Sequence, residues 1–355
     1  MDLPSIPLPS SSRGWPLVGI YVWLRQTLEM GRCIAPPRVN ESVTRHHLVV
    51  GAGGLFGQAI VARLREIGSS TLTVSGLRWT NDAAVRDGLK RGIDQLLAQA
   101  DRDHWSVHWC AGKATIRSDE RESHHEMLLL RHLLDVLQAT ATPEQLRRGS
   151  LTFASSAGGV YAESPNPPFD ERSDPRPNSP YGRAKLVSEE LLTEWCESFG
   201  VHLTIGRIAS LYGSNQDLSK PQGLLSHLVR AALLREPLTL FVPMSTTRNY
   251  ISANDAAAVL LAHDEQQSRK VRIVNICASE NMSIASLLHT CELIVRRRVP
   301  IRQTINNASA GETRDLRIAT LYGDLSNRLA RTPLHVGLHR LLVQAARTVA
   351  QDSRA

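Results

Sequence analysis

From residue 47 onward, short apolar runs alternate with longer stretches whose apolar positions recur at helical spacing. The strand-like runs fall at 47–50, 71–75, 105–110, 150–155, 201–207 and 271–276. Helical patterns occupy 57–67, 82–100, 119–138 and 181–198 between them. Strands separated by helices of that length predict right-handed βαβ units and a parallel sheet covered on both faces, an α/β doubly wound fold. After about residue 212 the texture changes: Gly213 to Gly223 is polar, and helices at 223–235 and 283–296 follow with less strand between them. This predicts a smaller α/β lobe on the carboxyl edge of the sheet, with a ligand cleft between. The expected division is an extension over 1–46, a sheet domain over 47–211 that also receives 249–277, a lobe built from 212–248 and 278–345, and a tail over 346–355.

The first strand runs into Gly51-Ala52-Gly53-Gly54-Leu55-Phe56-Gly57. In a Rossmann-type βα turn, Gly51 permits the tight turn, Gly54 lets a pyrophosphate approach the backbone, and Gly57 lets the helix pack on the sheet. The helix amino end from Leu55 and Phe56 then offers free N–H groups and a positive dipole end to the phosphates. The end of the second strand reads the adenosine ribose, and it carries no acid there: Ser75 is followed by Arg78. Ser75 can donate to a 2′-phosphate and Arg78 can grip one, which favours NADP over NAD, although Arg78 also reads as an ordinary surface residue.

Tyr181 and Lys185 lie one helical turn apart on one face, behind Pro180, which is placed to start the helix. A phenol is a poor acid–base group at neutral pH unless a neighbouring cation favours its phenolate form. Lys185 is such a cation and can also bind the ribose of a nicotinamide nucleotide.

Taken together, the stretches Gly51 to Gly57, Ser155-Ser156-Ala157-Gly158-Gly159-Val160-Tyr161, Ser179 to Lys185, Arg207 to Gly213, and Arg248 to Ile251 with Asp255 resemble the extended short-chain dehydrogenase/reductases, the NAD-dependent epimerase/dehydratase family. The resemblance covers roughly 47–345. It implies a Ser/Thr–Tyr–Lys set acting by hydride transfer on a ring hydroxyl or carbonyl of a nucleotide sugar, as an epimerase or a ketoreductase. Ser156 is the candidate to hold the reacting oxygen; the family often carries its hydroxyl three residues before the valine, where this chain has Ala157, and Ser155 is the alternative. Ala111 and Gly112 are expected beside the cofactor. Arg248 is expected on the substrate diphosphate or else tied to its neighbouring loop, with Tyr212 and Gln222 lining the same pocket. A reduced or missing third strand is expected from the short segment before residue 82, with Asp82 standing in for the acid usually found there. Family 4,6-dehydratases carry an Asp-Glu pair where this chain has Gly158-Gly159, which counts against elimination of water. A homodimer through helices 119–138 and 181–198 is implied, although Met127 to Leu134 could equally be buried within one chain. A non-catalytic dinucleotide-binding sensor or scaffold of the same fold is the competing reading.

Composition narrows this little. The 355 residues carry a formal net charge of +7 with no recognised nucleic-acid motif, so a solvated basic face is expected rather than nucleic-acid binding. The five cysteines are scattered without a CxxC pair, which suits reduced cytosolic thiols and neither a disulfide framework nor a metal site. The pairs His46-His47 and His124-His125 read as surface or strand-edge residues. Residues 15–24 are apolar but too short to span a bilayer, so no membrane association is expected. The first 46 residues read as a flexible extension, or as chain added by a start codon set too far upstream.

Overall fold

The computed structural model describes residues 44–352 apart from 75–76, 78, 215, 217–222, 268–269 and 305–312. The expectations for the extension over 1–43, for Ser75 and Arg78, and for Gln222 therefore lie outside the described residues. The first half of the fold runs β1 (Arg45–Val50), α1 (Leu55–Glu66), β2 (Ser70–Thr73), α2 (Asp82–Ala100), β3 (His104–Trp109) and α3 (Glu120–Thr140). It continues through α4 (Pro143–Arg147), β4 (Gly149–Ser156), the single turn α5 (Ala157–Val160), α6 (Pro180–Phe199) and β5 (His202–Ile208). Then follow β6 (Ser210–Tyr212), α7 (Leu224–Leu234), β7 (Leu238–Leu240), β8 (Thr247–Ser252), α8 (Ala253–Gln266) and β9 (Val271–Ile276). Last come β10 (Asn281–Ser283), α9 (Ile284–Val295), β11 (Ile301–Gln303), β12 (Asp315–Leu316), α10 (Gly323–Leu329) and α11 (Leu334–Asp352).

Six strands form one parallel sheet in the order β2-β1-β3-β4-β5-β9. Pleating sends Leu48 and Val50 into a core under α2, α3 and α6, while Val49 joins α1 and α8 on the other face. The fold is thus the doubly wound α/β architecture read from the sequence. Among the described residues no strand lies beyond β2, so this edge is short by the strand whose loss was expected. Asp82 opens α2 and faces His125 and His132 of α3 at 4.0 and 3.8 Å. The chain moves from β1 to β2 on one side, then crosses back to β3 on the other. The sheet's switch point, where such folds bind ligands, therefore lies between the carboxyl ends of β1 and β3.

Beyond β5, β8 pairs with β6, β10 and β12, and the helices α7, α9 and α11 close a second core around Leu228, Leu287 and Leu338. The final helix continues to Asp352, through most of the segment expected to be a tail. Of the apolar residues that suggested dimerisation, Leu129, Leu130, Leu133 and Leu134 are buried within the chain, while Met127 and Leu128 are half-buried. Among the described residues no helix is long and apolar enough to cross a membrane.

His47 departs from the surface or strand-edge reading. It lies on a central strand and is buried, with Nδ1 2.9 Å from Nε2 of His108, whose Nδ1 meets Thr152 Oγ1 at 2.9 Å. Beside them Ser106 and Ser150 both donate to Asp264 Oδ2 at 3.1 Å, and Arg45 pairs with the same oxygen at 3.2 Å. A polar belt thus crosses the sheet's buried face, and a two-residue repeat does not distinguish it from a solvated one. Burial, with His108 and Arg45 nearby, pushes the His47 imidazole down from 6.5 to about 3, and burial does the same to His108. The unfolded chain takes up protons at both sites below pH 6.5 and the folded chain does not until about pH 3, so their contribution to stability is complete above 6.5 and is lost as pH falls through that window. The expected slope is up to about 1.4 kcal/mol per pH unit for each histidine. Thermal melts at stepped pH should show a steeper acid loss in the native protein than in a His47→Leu/His108→Leu variant; equal slopes would contradict this.

Candidate active site

The turn after β1 has a shape that fits a dinucleotide. Gly51 sits at φ +88°, and a Cβ there would come within 2.5 Å of the Ala111 backbone nitrogen at the end of β3. A Cβ on Gly57 would collide with the Gly51 carbonyl, so α1 can approach the turn only through glycine. Around Gly53, by contrast, no atom lies within 4 Å of a built Cβ, leaving that rim of the turn open. Gly54 caps α1 without a side-chain hydrogen bond, and the first turn carries no acid, so the N–H groups of Leu55, Phe56 and Gly57 face an anion's place. The Phe56 side chain is buried in the core, which leaves its backbone as the group on offer. Ala111 is half-buried against Gly51, and burial pushes the neighbouring Cys110 thiol up to about 12, so it is held protonated. Gly112 is exposed, and a Cβ built on it would lie 3.0 Å from Glu126 Oε2.

At the other wall, Ser179 caps α6 by accepting from Gly182 N at 3.1 Å, and Pro180 occupies the first turn as the sequence suggested. Tyr181 is half-buried and its ring packs on Gly159: a Cβ there would lie 3.1 Å from Tyr181 Cε1. Lys185 is only 8% exposed. Its ammonium donates to Ala154 O at 3.2 Å and sits 4.9 Å from the Phe153 ring centre and 5.6 Å from that of Tyr181. A desolvated ammonium held beside a phenol ring is the arrangement that stabilises negative charge on the phenol oxygen.

The two serines divide. Ser155 points to α6 and donates to Glu189 Oε1 at 2.5 Å, within a buried ion pair where Arg207 reaches Glu189 Oε2 at 2.6 Å. Ser156 ends the strand, is half-buried and accepts from Gly159 N at 3.2 Å, which leaves its own O–H uncommitted among the described residues. Arg248 donates to Thr247 O at 3.0 Å and to Thr313 O at 2.6 Å, so it is tied to the adjoining loop. Tyr212 is not brought to the cleft: it is 1% exposed and packs on Gly337 in the second core, drawn inward by its ring.

These parts have relatives. Residues 47–277 match the sequence model of the NAD dependent epimerase/dehydratase family. The chain belongs to that family. Its family relatives include the UDP-glucose 4-epimerase of Corynebacterium glutamicum, 23% identical over 320 residues and matched over 84% of this chain and 94% of that one. The dTDP-L-rhamnose 4-epimerase of Burkholderia thailandensis is 27% identical over 284 residues, covering 68% of this chain and 78% of that one. The crystal structure of UDP-glucose 4-epimerase from Thermotoga maritima with UDP-glucose aligns at a TM-score of 0.70 and 20% identity, over 86% of this chain and 99% of that one. At that identity the structural likeness is one of fold.

The sequence analysis passed over Glu189, Ser123 and Glu126, and named Arg207 only as the start of a matching stretch, without a role. Each polar helix residue among them falls on its helix's buried stripe: Glu189 follows Lys185 by one turn, and Ser123 and Glu126 precede Leu130 at helical spacing. A charged residue on such a stripe is the signal that was available. Glu189→Gln would leave Arg207 buried without a counter-charge and is expected to cost about 3–5 kcal/mol in denaturant unfolding. Ser155→Ala, which removes one donor to Glu189, should cost roughly 1–3 kcal/mol; unfolding curves unchanged in both would contradict the role given to the pair.

Proposed function

We propose that this chain transfers hydride at a ring hydroxyl or carbonyl of a nucleotide sugar, as a nicotinamide-dependent epimerase. One observation carries the reading: a buried ammonium, Lys185, lies beside the Tyr181 ring across the cleft from an open glycine turn. The dinucleotide, when bound, supplies the hydride acceptor and donor. Gly51, Gly54 and the N–H groups of Leu55, Phe56 and Gly57 hold its pyrophosphate, with Ala111 and Gly112 at its flank. Tyr181 moves the hydroxyl proton, Lys185 stabilises the charge left on the Tyr181 oxygen, and Ser156 orients the reacting oxygen with its free O–H. Arg248, committed to the carbonyls of Thr247 and Thr313, is left out of this assignment. The names of the relatives, UDP-glucose and dTDP-L-rhamnose 4-epimerases, support a nucleoside-diphosphate hexose and chemistry at a ring carbon. The α5 turn offers no carboxylate, which weighs against dehydration.

A second reading, a ketoreductase that releases NADP, is supported by the chain between Glu66 and Asp82, which contains no acid to hold a ribose 2′-hydroxyl. There Ser75 and Arg78 would read the 2′-phosphate.

With a panel of UDP- and dTDP-hexoses, Tyr181→Phe should lower turnover by about 10²–10⁴-fold while dinucleotide binding is retained. Ser156→Ala should lower turnover with dinucleotide binding retained, at a cost of about 1 kcal/mol in stability from the lost cap on Gly159 N. Equal turnover in the native protein and Tyr181→Phe would contradict the proton role, and dinucleotide binding without turnover in either would favour a sensor or scaffold.

A further inference from the structure

Helix α3 holds two stretches of backbone at the carboxyl edge of the sheet with two consecutive side chains. His125 Nε2 lies 2.7 Å from Trp79 O, in the turn ahead of α2. A carbonyl only accepts, so this ring nitrogen carries the hydrogen. The next residue, Glu126, accepts the backbone N–H groups of Lys113 and Ala114 in the loop after β3, the latter at 2.5 Å. The turn runs straight into its helix: Asn81 caps α2 by accepting from Ala84 N at 3.0 Å, and Asp82 follows, 4.0 Å from His125 Nδ1. With no strand beyond β2 among the described residues, α2 packs directly on the chain that leaves β2. A Cβ on Gly88 would come within 2.3 Å of Leu77 Cδ2, and Leu77 and Trp79 are half-buried against the main core. Apolar contact places this turn at the edge of the core, but no hydrogen bond of Trp79 other than that from His125 is found among the described residues.

We propose that His125 is a positioning residue for the dinucleotide: it latches the turn at Trp79, fixes one wall of the adenosine half's place, and sets how long the dinucleotide stays bound. This rests on the reading of the glycine turn as the dinucleotide site. In a doubly wound sheet of this order the adenosine ribose is read at the end of the second strand. The adenosine half then lies between the chain that follows β2 and the loop that follows β3. His125 holds the first of these and Glu126 the second. A wall fixed before binding need not be ordered during it, and affinity rises with the fraction of molecules whose wall is already in place. The nicotinamide half belongs on the other side of the switch point, where Lys185 meets Ala154 O of β4. A cycle that returns hydride to its own substrate works best with a dinucleotide that stays, so the latch suits the epimerase rather than a reductase that exchanges its cofactor.

The His125 side chain is 38% exposed, so replacing it leaves the core's packing in place. His125→Leu and His125→Ala remove the donor, while the amide of His125→Gln can still donate to Trp79 O. Stopped-flow chase of bound NADH or NADPH, with titrations of the same dinucleotide and of ADP-ribose, is run on the native protein and the three variants. His125→Leu and His125→Ala are expected to speed dissociation roughly tenfold, about the worth of one hydrogen bond, and His125→Gln to restore a rate close to native. ADP-ribose, which lacks the nicotinamide, should lose affinity by the same factor as the whole dinucleotide. Without any ligand, amide hydrogen exchange across 79–85 should quicken in His125→Leu. Native dissociation in His125→Leu or His125→Ala, or a His125→Gln as fast as these, overturns the latch. So does unchanged ADP-ribose binding, or unchanged exchange across 79–85. Failure of the native protein to bind any dinucleotide would instead sink the reading of the glycine turn beneath it.

Discussion

The ion pair between Glu189 and Arg207 is the contact on which the site's geometry depends. Both side chains are under 5% exposed, and the pair joins helix α6 to strand β5 while accepting the Ser155 hydroxyl from β4. Two charges that deep are tolerated only when each is fully hydrogen-bonded, so the pair admits little slippage of the helix on the sheet. Lys185 and Tyr181 sit one and two turns above Glu189 on the same helix, and the pair therefore sets their height at the sheet's carboxyl edge. From Arg207 the polar chain continues. Its guanidinium donates to Tyr161 Oη at 2.8 Å, which donates to Asn275 Oδ1 at 3.1 Å. Asn275 in turn donates to the carbonyls of Phe169 and Ala319, while Glu171 gathers Asn275 N, Thr320 and Leu321 N. The helix carrying Tyr181 and Lys185 is thereby linked to the segment that includes Thr313, whose carbonyl holds Arg248.

The opposite wall depends on space rather than charge. Gly51 and Gly57 remove the side chains that would keep α1, β1 and β3 apart, and what remains at the switch point is backbone N–H facing an open rim. The glycine turn and the Tyr181–Lys185 pair, far apart in sequence, both stand at the sheet's carboxyl edge, and the proposed function joins them in one device.

Much of this was legible in the chain. The strands and helices of the sheet appear close to their expected limits because periods of 2 and 3.6 residues were both strong there. The Tyr181–Lys185 pair and the glycine spacing were legible because each requires a particular residue type at a particular offset. Three features were not. His47 reads as a polar alternate in a strand, and only the sheet order shows that its neighbours are another histidine and a threonine. Ser155 and Ser156 are adjacent and chemically identical, and what separates them is a partner, Glu189, distant in sequence. Tyr212 stands beside a polar loop in the sequence, yet it packs inward on Gly337 in the last helix. Pairings across such distances leave no local trace.

The most direct test of the central claim is a titration of the purified protein with NAD⁺, NADP⁺ and their reduced forms, run beside a Gly51→Ala variant. The account predicts saturable binding of at least one dinucleotide, lost when a methyl group is forced against the Ala111 backbone. No binding to any of them, or binding that Gly51→Ala leaves unchanged, would contradict it.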